Sequence, residues 1–101
     1  MAFKLLDAAT ATGVSESIDF RSRKPINHTV QLDYTGSPTV VEIDLEGSLD
    51  GDNWISMASH TAGGTPDMFH VTDKMVRHLR VNLTTLTGGT SPTVTVRYEA
   101  S

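Results

Sequence analysis

The 101-residue sequence predicts an all-β chain: an antiparallel β-sandwich, jelly-roll or immunoglobulin-like, with an extended N-terminal arm. From His28 onward apolar residues recur at alternate positions, the period of a strand with one buried face. No window of eleven or more residues places apolar side chains at helical spacing. Apolar residues make up 38% of a chain rich in Thr, Ser and Gly, which suits two thin layers better than a deep core. The expected division is residues 1–27 as arm and first short strands, and 28–101 as the sandwich core.

The N-terminal stretches "FKLLDA" and "ESIDF" are candidate short strands joined by the small-residue segment "ATATGVS". In "HTVQLDY" Val30, Leu32 and Tyr34 share one face, and the turn "TGSP" ends the strand. "TVVEIDLEG" sends Val41, Ile43 and Leu45 inward, so Glu42, Asp44 and Glu46 form an acidic ladder on the other face. Arg80 in "HLRVNL" and Arg97 in "VTVRY" point outward and are the expected cross-strand partners of that ladder. The inner faces of these two strands contribute Leu79, Val81, Leu83, Val94, Val96 and Tyr98.

"NWISMAS" and "DMFHVTD" are shorter strand candidates, with Trp54 or Ile55, Phe69 and Val71 as core contributors. "TGSPTVV" and "TGGTSPTVTV" echo each other, each running from a glycine turn through Ser-Pro into a β-branched strand.

Composition narrows function. Cysteine is absent, which excludes disulfides and thiolate metal sites. The net charge of -4 and a single basic cluster, "RSRK", argue against nucleic-acid binding. The opening "MAFKLLDAATATG" lacks the apolar run of a signal peptide or membrane span, so synthesis in the cytoplasm and no membrane partner are expected.

The stretch "EGSLDGDNWISM" concentrates what polar chemistry there is. Asp50 and Asp52 are weak metal candidates, because the spacing lacks the distant glutamate of a standard calcium loop. Asp50-Gly51 is a turn signal, and Trp54 reads as a core anchor in preference to a sugar-stacking platform. His28, His60, His70 and His78 stand in no motif that pairs a nucleophile with a base. The sequence therefore predicts no enzyme, no catalytic residue and no cofactor.

"VEIDLEGSLDGDNWISM", "VRHLRVNLTTLTGG" and "TSPTVTVRYEA" together resemble the small β-sandwich virion proteins of tailed bacteriophages, over about residues 28 to 100. The pattern runs through Gly47, Ser48, Asp50, Gly51 and Trp54, then Arg77, Leu79, Arg80 and Val81, then Gly89, Ser91, Pro92, Thr93 and Val94. A similar Ser-x-Asp-Gly-x-x-Trp turn occurs in discoidin-like carbohydrate-binding jelly rolls, which are longer.

The resemblance implies a structural role on the capsid surface: a capsid decoration, or cement, protein that binds the major capsid protein and stabilises the assembled head, commonly as a trimer. A tail, collar or head-fibre component and a host-glycan-binding module are the alternatives. Under the first reading Phe3, Lys4, Leu5, Leu6, Arg21, Arg23 and Lys24 are the expected capsid or subunit contacts.

Overall fold

A computed structural model describes residues 3–21, 25–62 and 67–101. Among the described residues nine strands form: β1 (Phe3–Ala9), β2 (Gly13–Val14), β3 (Ile18–Asp19), β4 (His28–Thr35), β5 (Val40–Ser48), β6 (Ile55–Ala62), β7 (Asp67–Val71), β8 (His78–Thr87) and β9 (Thr93–Ala100). The first sheet has the order β1-β9-β4-β7, and the second has β2-β8-β5-β6 with β3 also on β8. Every pairing is antiparallel. With β2 and β3 counted as one interrupted strand, each sheet has four strands. The chain changes sheets at every connection except β5–β6, which is the jelly-roll solution of the two expected forms.

The core follows the alternation. Val30 and Leu32 from β4, Val41, Ile43 and Leu45 from β5, Leu79, Val81 and Leu83 from β8, and Val94, Val96 and Tyr98 from β9 are all essentially inaccessible to water. Removing each such side chain from water contributes about 1.5–3 kcal/mol, so the four central strands hold the fold. Val71 and Val76 close the same cluster.

The N-terminal segment is extended, as expected, but it is docked. β1 pairs with β9 and packs Leu5, Leu6 and Ala9 against the core, while β2 and β3 line the outer edge of β8. The register of β1 shifts twice, between Lys4 and Leu6 and again between Leu6 and Ala9. Each shift resets which side chains face inward, so both members of the leucine pair reach the interior.

The echoed Gly-Ser-Pro turns meet at one end of the sandwich. One carries the chain from β4 to β5 and the other from β8 to β9, so both are crossovers between sheets. Thr90 donates its backbone N–H to the Gly36 carbonyl (2.9 Å), and Thr39 does the same to the Thr87 carbonyl (2.8 Å). Gly36 and Gly88 have φ of 78° and 79°. A Cβ at Gly88 would sit 2.1 Å from Thr39 Oγ1, so this approach requires glycine.

Candidate functional site

At the opposite end the chain builds a turn and a cluster from residues the sequence had singled out, with a groove beside them. The β5–β6 connection is a six-residue loop, not a two-residue hairpin. Ser48 Oγ accepts the N–H groups of Asp50 (3.2 Å) and Gly51 (2.9 Å) and donates to Asp50 Oδ1 (3.0 Å). The Asp50 carboxylate accepts the N–H groups of Asp52 and Asn53 (both 2.9 Å) and the Asn53 side-chain amide (2.8 Å). Those donors hold its pKa far below the usual carboxylate range, the Asn53 and Asp52 N–H groups most of all. Asp50 serves as the internal brace of the loop, a use that occupies the oxygens a cation would need. Among the described residues no three of His, Asp and Glu gather into a metal-holding group.

Trp54 is not a core anchor. It is half-buried on the outer side of the second sheet, where the guanidinium of Arg80 covers its ring at 4.2 Å and His78 meets its edge, with centroids 6.4 Å apart. The largest fully buried side chain is Tyr98, which fills the place expected of the tryptophan. A ring that follows a polar loop, beside an outward arginine, gains more from the cation than from a core already filled.

One rung of the acidic ladder is paired with a cation and the other two accept hydroxyl hydrogen bonds. Glu46 receives Arg80 Nε at 2.6 Å and Asn82 Nδ2 at 3.4 Å, Asp44 receives the Ser59 hydroxyl at 2.6 Å, and Glu42 receives the Thr85 hydroxyl at 3.1 Å. Arg97 lies in the other sheet and pairs with Asp33, so it does not serve the ladder.

Each histidine has its own partner. His28 is buried, with Nε2 2.7 Å from the Lys74 carbonyl and Nδ1 2.5 Å from the Tyr98 hydroxyl. Since a carbonyl only accepts, Nε2 carries the proton, and in the neutral ring Nδ1 accepts from the phenol. His60 donates to Asp67 (2.7 Å) and stacks on Phe69, joining the edges of the two sheets. His70 lies 3.0 Å from Thr29 Oγ1, and His78 lies 4.0 Å from Asp19.

An open groove of about 510 Å³ lies between the start of β6 and the segment joining β7 to β8. Gly47 forms its wall because a Cβ there would come within 2.5 Å of Val76 Cγ1 and 2.9 Å of Met57 Sδ, so those side chains floor the groove. Leu49 (70% exposed), Ile55 (70%) and Met75 (58%) stand on its rim, beside Asp73 and Lys74. Ile55 therefore does not join the core. The rim escaped sequence reading because its apolar residues come from a turn, a strand start and a loop, none of which carries a periodic signal.

The expected contact residues divide. Phe3 (43% exposed) pairs in register with Tyr98 at this same end, and Lys4 and Arg21 are exposed. Leu5 and Leu6 are half-buried and packed against the core. Arg23 and Lys24 lie outside the described residues.

No protein-family model matches the chain, and no curated protein matches it in sequence. Among the solved structures that share its fold are the following two. An SPBc2 prophage-derived protein, YomS, is 15% identical with a TM-score of 0.64, over 97% of this chain and 88% of that one. PirA is 17% identical with a TM-score of 0.57, over 97% and 90%.

Proposed function

We propose that this chain is a non-enzymatic structural subunit of a tailed-phage particle, and that it decorates the outside of the assembled head. The observation that carries the reading is the placement of exposed apolar side chains. Among the described residues seven large ones are exposed, and Phe3, Ile26, Leu49, Ile55 and Met75 share the end where β5 and β9 finish and where β1, β6 and β8 begin. Apolar surface gathered at one end of an otherwise polar sandwich marks a contact surface. The fold it shares with a prophage-derived protein supports a phage setting.

In this account the end settles on the shell, with Phe3, Lys4 and Arg21 facing the major capsid protein and the groove rim covered by assembly. The test is to mix purified full-length protein with expanded heads and with tails of the encoding phage. Saturable binding to heads that raises their melting temperature is expected. Binding to tails alone favours the tail, collar or fibre reading, and binding to neither overturns the proposal.

A further inference from the structure

We infer that the groove is filled by a second copy of this chain, related to the first by a twofold axis. The inference rests on reading this end as an assembly surface and names the partner of one part of it. The groove joins a hollow to exposed apolar side chains: Gly47, Met57 and Val76 lie in its lining, and Leu49, Ile55 and Met75, in the same lining, keep most of their surface exposed. A surface that carries both halves of a fit is self-complementary about a twofold, because the knob of each copy enters the hole of the other.

Charge favours the same occupant. Asp73 and Lys74 are adjacent, exposed and on the rim, and among the described residues neither has an ion-pair partner. Across a twofold, Asp73 of one copy meets Lys74 of the other, and the reciprocal pair forms with it. The rim is held ready for contact, since Lys74 donates its N–H to the Ile26 carbonyl (3.1 Å) and its own carbonyl accepts from buried His28. Phe3, Lys4 and Arg21 lie outside the groove lining and stay available to the shell. A twofold pair differs from the trimer that the family resemblance implies, and the mass of the native chain in solution separates the two.

Sedimentation equilibrium on the full-length protein is the test. The native chain is expected to run as a dimer, and Ile55→Lys, at an exposed position that leaves the core intact, as a monomer with an unchanged far-ultraviolet spectrum. Lys74→Glu and Asp73→Lys are each expected to weaken pairing about tenfold or more, and their equimolar mixture to restore a heterodimer. A native monomer at its highest soluble concentration, a native trimer, or an Ile55→Lys dimer as tight as the native one overturns the inference. Head binding is measured separately, so a native chain that is monomeric yet still coats heads sinks the self-pairing and spares the function.

Discussion

The guanidinium of Arg80 lies over the indole of Trp54, 4.2 Å from the ring centroid, while its Nε donates to Glu46 at 2.6 Å. One side chain thereby fixes the aromatic ring, neutralises the end of the acidic ladder and ties β8 to β5. Arg80→Ala removes all three and leaves Glu46 without its cation. A loss of about 1–2 kcal/mol in urea unfolding is expected, together with a change in Trp54 emission. Arg80→Lys restores charge without the planar fork and should recover only part.

The same stacking bears on glycan recognition, which needs an open aromatic face. With Arg80 on the ring, Trp54 fluorescence is expected to stay unchanged across a panel of host glycans. A saturable shift with any sugar contradicts that arrangement.

Gly88 and Gly51 separate two costs of replacing glycine. Both have positive φ, 79° and 82°, but an added Cβ at Gly88 meets Thr39 Oγ1 at 2.1 Å, whereas at Gly51 it meets His78 at 3.4 Å. Gly51→Ala should cost about 1 kcal/mol and Gly88→Ala about 2–3 kcal/mol or more, read from chemical denaturation. Equal losses would mean that the two crossover turns do not lean on each other.

Deleting residues 1–10 removes β1 and bares the edge of β9. The partly buried Leu5, Leu6 and Ala9 go with it, so a loss of roughly 2–4 kcal/mol and a tendency to aggregate are expected. A truncated protein that melts at the native temperature would mean that residues 1–10 behave as an undocked arm.

Asp50 gives the fold a dependence on acid. Its folded-state pKa is depressed from an ordinary 3.8, so its stabilising effect is present above that pH and is lost as pH falls through the lower folded value. Asp50→Asn should therefore melt earlier than the native protein at neutral pH, with the gap narrowing as pH drops below 4. A gap that stays constant into acid would show that the loop is not braced by the charged form.

The four central strands were legible because each has one wet and one dry face, so Val30, Leu32, Ile43, Val81 and Val96 announced their side by position alone. β1 was legible as a candidate strand in "FKLLDA", but which of its side chains turn inward was not, since its two register shifts and the positive φ of Ala8 (50°) break the period. Trp54 misled for a different reason: size argues for burial, but the core was already filled by Tyr98 and the aliphatic strand residues. The braced turn at Asp50 was visible as a turn signal. The groove beside it was not, because Leu49, Ile55 and Met75 meet only when the chain is folded.

The most direct test of the proposed decoration role is the copy number of this chain in tailed-phage virions purified from a host that carries its gene, read from a stained gel against the major capsid protein. A decoration protein is expected at a copy number comparable to that of the shell subunit. A handful of copies per particle, or none, would contradict it.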